Sequence, residues 1–147
     1  AGIQIIWQTG KFYIENARKE AETYKSPSLL VTDFVSRMDY AYSIADLVIS
    51  RAGASSISEL CLLSKPTILV PSPNVAEDHQ TQNALALVRE NAAVMIKDTD
   101  AKEMLISKAL ELINDNDALK QLSINILKLA ETNSAERIAD EVVKLID

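Results

Sequence analysis

Three short stretches carry residue types that could do chemistry together. The first is Ser50-Arg51-Ala52-Gly53-Ala54-Ser55-Ser56-Ile57-Ser58-Glu59. It joins an apolar run to a helical one through small residues. Gly53 permits a tight turn and the close approach of a ligand. A helix starting there would offer unpaired N–H groups and the positive end of its dipole, a seat for phosphate. Ala54 is small, and Ser55 and Ser56 would add hydroxyl donors. Glu59, one turn into that helix, could accept two hydrogen bonds from a ribose diol. The same residues have a plain structural reading. Ser56-x-x-Glu59 has the spacing of a capping box, and a tight strand-to-helix turn calls for glycine whatever it binds. On these local residues alone the structural reading is preferred. The two common glycine-rich phosphate loops, GxGxxG and GxxxxGK[ST], are not matched here.

The second stretch runs from Pro71-Ser72-Pro73 to Asp78-His79-Gln80 and Asn83. Two prolines hold the exit from an apolar run extended. Asp78 has the chemistry of an N-cap for the helix that follows. Gln80 and Asn83 are three residues apart, hence on one face of its first turn. Carboxamides donate and accept at once, which suits sugar hydroxyls. The alternative is a solvated helix start with His79 exposed. His79 has the pKa range of a general base, but no nucleophile is positioned by the sequence. The third stretch is Asp33-Phe34-Val35-Ser36-Arg37-Met38. Phe34 or Val35 could wall a base pocket whose backbone reads a base edge. The local sequence favours a loop that anchors those apolar side chains in the core.

The rest of the composition narrows the field. The chain has 147 residues, 48% of them apolar and 24% charged, as expected of one globular domain. A chain of this size buries roughly 70% of its unfolded surface and needs no disulfide or metal staple. Fifteen Lys and Arg against 21 Asp and Glu leave a net charge of -6, which argues against a nucleic-acid partner. A single cysteine, Cys61, and a single histidine, His79, exclude a disulfide framework and a Cys/His zinc site. Cys61 lies among Leu60, Leu62 and Leu63, so packing is its expected role. No apolar run approaches the ~20 residues that span a bilayer, and no signal peptide is visible.

Period-2 and period-3.6 patterns place these stretches. Strands are expected at 3–9, 29–32, 47–50, 67–70 and 93–96. Helices are expected at 13–25, 37–45, 56–63 and 80–90, then at 101–114, 117–130 and 134–146 without further strands. Asp100-x-x-Glu103 and Asn133-x-x-Glu136 read as capping-box starts. Strand–helix alternation implies a Rossmann-like α/β fold, with a mainly parallel sheet flanked by helices and an all-helical tail over 100–147. Right-handed crossovers put the carboxyl ends of the strands on one edge, where such folds bind ligands. The loops 33–37, 51–56 and 71–79 follow three successive strands.

Taken in order, the stretches read D-F-V-x-x-M, A-D-L-V-I-S-R-A-G-A-x-S-x-S-E-L, K-P-x-I-L-V-P-x-P and D-H-Q-x-x-N-A. This order closely resembles the C-terminal, nucleotide-sugar-binding domain of the family 28 bacterial glycosyltransferases of peptidoglycan synthesis. The resemblance is strongest over 29–96. It implies the C-terminal half of a GT-B fold, in which two Rossmann-like domains face each other across a cleft. It implies transfer of GlcNAc from UDP-GlcNAc, with inversion, to undecaprenyl-pyrophosphoryl-MurNAc-pentapeptide, and no metal or other cofactor. Backbone near Val35 would meet the uracil. Gly53, Ala54, Ser55 and Ser56 would hold the pyrophosphate, and Glu59 the ribose. Gln80 and Asn83 would hold the GlcNAc hydroxyls. The family pattern tips Glu59 and the Gly53 turn from the structural reading to the functional one.

The family's domain begins with a further strand and a G-G-S-x-G loop, neither of which occurs here. The chain starts Ala1-Gly2-Ile3 without an initiator Met. The expectation is therefore a fragment with no catalytic residue of its own, inactive alone, from a protein peripheral to the cytoplasmic face of the inner membrane. The competing readings are a same-family transferase with another UDP-sugar or lipid acceptor, and a non-catalytic α/β interaction module.

Overall fold

The computed structural model describes residues 2–73 and 78–145. The middle of the expected 71–79 loop and the end of the expected 134–146 helix lie outside the described residues. The chain forms two compact units, Ala1–Ile44 and Ala45–Asp147.

The first unit is β1 (Ile5–Gln8), α1 (Ile14–Tyr24), β2 (Leu29–Thr32) and α2 (Met38–Ile44). β1 and β2 pair in parallel, with Ile5 opposite Leu29 and Gln8 opposite Thr32. α1 packs on β2 and buries Ile14 and Ala17. It stops at Lys25, which adopts a left-handed conformation (φ 44°) two residues before Pro27. Proline there cannot continue the helix, as the sequence requires.

The second unit continues with β3 (Val48–Ser50), α3 (Ala54–Leu62), β4 (Thr67–Leu69), α4 (His79–Arg89), β5 (Val94–Met95), α5 (Asp98–Ile113), α6 (Asn116–Leu127) and α7 (Ser134–Lys144). Its sheet has the order β3-β4-β5, all parallel. The central strand β4 is buried throughout, as a parallel strand covered on both faces should be. The Thr67 hydroxyl satisfies itself by donating to the Lys65 carbonyl at 2.8 Å. Ile68, Val70, Ile96, Leu112 and Leu122 form the core, closed by Leu47, Leu105 and Ala109. Helix α6 is tied down by polar groups as well. Ser64 and Ser123 each donate to the other's carbonyl, at 2.9 and 2.8 Å, and Asn125 donates to the Asn91 carbonyl at 3.0 Å.

Helix starts differ from expectation in instructive ways. α5 begins at Asp98 behind Lys97, so Asp100 is already inside the helix and the Asp100/Glu103 box does not form. Asn133 occupies the N-cap of α7, but its side chain makes no capping bond. The one side-chain cap seen at a described helix start is unforeseen: Asp115 Oδ1 accepts from the Ala118 N–H at 2.9 Å at the head of α6. Among the described residues, no helix is long and apolar enough to cross a membrane.

Candidate functional site

β3 and β4 run parallel, so the loops leaving them emerge at one edge of the second unit's sheet. The ladder ends where the Val70 N–H bonds the Ser50 carbonyl at 2.9 Å. Beyond it the chain leaves β3 through Arg51, Ala52 and Gly53 and enters α3 at Ala54.

Gly53 is the N-cap of α3, at φ -68° and ψ 145°, and no side chain caps the helix. The first intrahelical bond runs from the Ile57 N–H to the Gly53 carbonyl at 3.0 Å. The N–H groups of Ala54, Ser55 and Ser56 therefore have no partner within the helix. No acidic residue sits in the first turn to oppose the dipole. Two parts of the sequence reading change here. The Ser56/Glu59 capping box is not formed, because Ser56 is already the third helical residue while the chain leaves the extended region at Gly53. Nor does the turn need glycine: φ is ordinary, and an added Cβ would meet only Ser56 Oγ, at 3.8 Å. What glycine leaves is open space at a bare helix start. Glu59 is exposed on α3, one turn beyond.

Gln80 and Asn83 share a face of α4, and both turn to Ala52, which is fully buried. Gln80 Oε1 accepts from the N–H of Ala52 at 3.1 Å and from that of Ser72 at 2.9 Å. Asn83 Nδ2 donates to the Ala52 carbonyl at 3.1 Å. Asp78 does occupy the N-cap of α4, but with left-handed backbone (φ 54°) and no side-chain capping bond. His79 is exposed at the first helical position. Seven of the eight expected site residues, Gly53, Ala54, Ser55, Ser56, Glu59, Gln80 and Asn83, thus lie in the second unit, on the two helices that follow β3 and β4.

Val35, the eighth, belongs to the first unit. Its N–H is taken by Gln8 Oε1 at 2.9 Å, and the Phe34 carbonyl accepts from Thr32 Oγ1 at 3.0 Å. Phe34 is exposed and Val35 half-buried. The loop does not bury its phenylalanine, against the local expectation. Its backbone is held by side chains from β1 and β2.

Arg51 is the residue the sequence reading passed over. Its Nη1 donates to the Val70 carbonyl at 3.2 Å, to the Pro71 carbonyl at 3.4 Å and to Asp98 Oδ1. One guanidinium thus ties the exit of β4 to the first residue of α5. Asp98 is 47 residues away in sequence, so no spacing pattern signals the pair. Cys61 is buried on α3, and burial pushes its thiol pKa up. Among the described residues, no group of three or more His, Cys, Asp or Glu could hold a metal ion.

These features define a Rossmann-like α/β domain of parallel strands flanked by helices, the class expected from the C-terminal half of a GT-B glycosyltransferase. Residues 1–142 match the glycosyltransferase family 28 C-terminal domain, and the chain belongs to that family. It is 61% identical to a UDP-N-acetylglucosamine–N-acetylmuramyl-(pentapeptide) pyrophosphoryl-undecaprenol N-acetylglucosamine transferase of Parabacteroides distasonis, over 99% of this chain and 39% of that protein. The enzyme of the same name from Phocaeicola vulgatus is 64% identical over 100% of this chain and 39% of its own length. The crystal structure of Acinetobacter baumannii MurG superposes with a TM-score of 0.84 at 26% identity, covering 96% of this chain and 43% of that one. The chain thus spans about two fifths of the length of these relatives.

Proposed function

We propose that this chain is the donor-binding domain of an inverting glycosyltransferase. The transferase moves GlcNAc from UDP-GlcNAc to undecaprenyl-pyrophosphoryl-MurNAc-pentapeptide. The names of the relatives support the donor and the lipid-linked acceptor. The observation that carries the reading is the start of α3: an uncapped helix headed by a glycine that its own backbone does not require.

Departure of UDP places negative charge on the diphosphate. Fixed N–H groups at Ala54, Ser55 and Ser56, with the two serine hydroxyls, would stabilise that charge without reorganising. Glu59 would accept from the ribose hydroxyls. Gln80, with Asn83 beside it, would meet the GlcNAc hydroxyls. An acceptor hydroxyl then attacks the anomeric carbon directly and inverts it. The acceptor site and the base that takes its proton belong to the other domain of such an enzyme. The chain alone is therefore expected to bind donor and to make no lipid-linked product. The full transferase would work as a peripheral protein on the cytoplasmic face of the inner membrane.

Calorimetric titration with UDP-GlcNAc, UDP-glucose and GDP-mannose tests this, with Glu59→Ala alongside. The expected result is binding of UDP-GlcNAc in preference to GDP-mannose, weakened at least tenfold in a folded Glu59→Ala. Equal binding of all three donors, or a Glu59→Ala chain that binds as well as the unaltered one, would overturn the assignment.

A further inference from the structure

The bare start of α3 is useful to a diphosphate only if the peptide before it is held still. Beyond Ser50 and Val70 the ladder between β3 and β4 has ended, and the amides of Ala52 and Ser72 have lost their strand partners. A single acceptor, Gln80 Oε1, captures both. Asn83 completes the arrangement from one turn further along α4 by donating to the Ala52 carbonyl. Both peptide groups that flank Ala52 are thereby bonded to α4, around a residue with no exposed surface. The second of these peptides is Ala52–Gly53, whose far end is the N-cap of α3.

A side chain that serves only a sugar hydroxyl has no need to spend its donor on a buried carbonyl of the neighbouring loop. We infer that Asn83 is a positioning residue for the diphosphate: it fixes the Ala52–Gly53 peptide and so aims the N–H groups at the start of α3, which have no partner within the helix. This rests on the donor-site reading above and adds a role that does not depend on the sugar. Recognition by α4 and phosphate binding by α3 are then mechanically joined through Ala52.

Free UDP, which has no sugar, separates the two roles. Asn83→Asp keeps the size of the side chain but turns a carboxylate oxygen toward the Ala52 carbonyl, and Asn83→Ala removes the donor. Both variants of the full chain are titrated with UDP and with UDP-GlcNAc. Hydrogen exchange is followed at Ala52 to Ser56, and circular dichroism checks that each variant is folded. Loss of a hydrogen bond to a buried carbonyl predicts a fall of about tenfold in UDP affinity, with UDP-GlcNAc falling at least as far. Exchange at the Ala52 amide, which Gln80 Oε1 protects, should quicken while the body of α3 stays protected. UDP affinity unchanged in a folded Asn83→Ala, with only UDP-GlcNAc weakened, would overturn the inference and leave a sugar contact alone. An unaltered chain that binds neither ligand would overturn the donor reading and this inference with it.

Discussion

The side-chain oxygen of Gln80 lies 3.1 Å from the backbone nitrogen of Ala52, 28 residues earlier in the chain. It bonds the Ser72 N–H as well, so one carboxamide closes the gap where two parallel strands part. Gln80→Ala removes the side-chain acceptor of both amides and orphans that of the fully buried Ala52. An orphaned buried donor costs about 1–3 kcal/mol, so a loss of about 2 kcal/mol is expected. In a domain of this size that lowers the melting temperature by about 4–8 °C. Gln80→Glu keeps the accepting oxygens and should lose less than half as much. Thermal melts of the two variants check the order; equal stability of Gln80→Ala and the unaltered chain would remove the clamp from the account.

Gly53→Asp separates folding from binding. The N-cap backbone is extended and has room for a Cβ, and Asp caps better than Gly while favouring the positive end of the dipole. A gain of about 0.5 kcal/mol in stability is expected from these two effects. The same carboxylate would repel the diphosphate from the helix start. Donor affinity should therefore fall at least tenfold in a protein that melts higher. Urea unfolding and donor titration on one sample settle it, and a rise in both quantities would contradict the phosphate assignment.

Cys61 packs beside the core on α3, and burial raises its pKa. A raised folded pKa sets the sign. The contribution is fully present below the thiol's ordinary pKa. It is lost as pH rises toward the folded value, because the unfolded chain ionises first. Stability should fall between neutral pH and pH 10, and the fall should shrink in Cys61→Ala after allowance for its smaller side chain. At pH 8 a thiol reagent should label Cys61 only as fast as the domain opens, and at once in urea. Rapid labelling of the folded chain would mean that the thiol is accessible and that its buried packing role is wrong.

Element types were legible because they depend on near neighbours. Alternating or helical apolar spacing reports which side of a segment faces the core, and the five strands and seven helices among the described residues lie within the expected segments or a few residues of them. Helix starts were less legible. Lys97 and Gly53 head helices whose starts the capping-box spacing placed at Asp100 and at Ser56, and Asp115 caps a helix that apolar spacing began at residue 117. A capping side chain can serve any helix start within its reach. Packing of the preceding strand decides which residue leaves the extended region first.

The sequence by itself determined the order of parallel strands and helices, the two helix starts that carry the proposed donor site, and the family. Each follows from local periodicity or from motifs whose residues stand close together along the chain. The tertiary structure decided what the polar side chains do at those positions. Gln80 and Asn83 read as ligand groups in the sequence, yet the fold gives them Ala52 as a partner 28 and 31 residues away. Arg51 carried no signal at all until the exits of β3 and β4 and the start of α5 met around it. A hydrogen bond requires two atoms about 3 Å apart, and across such separations only the convergence of loops at the end of a sheet can supply that distance.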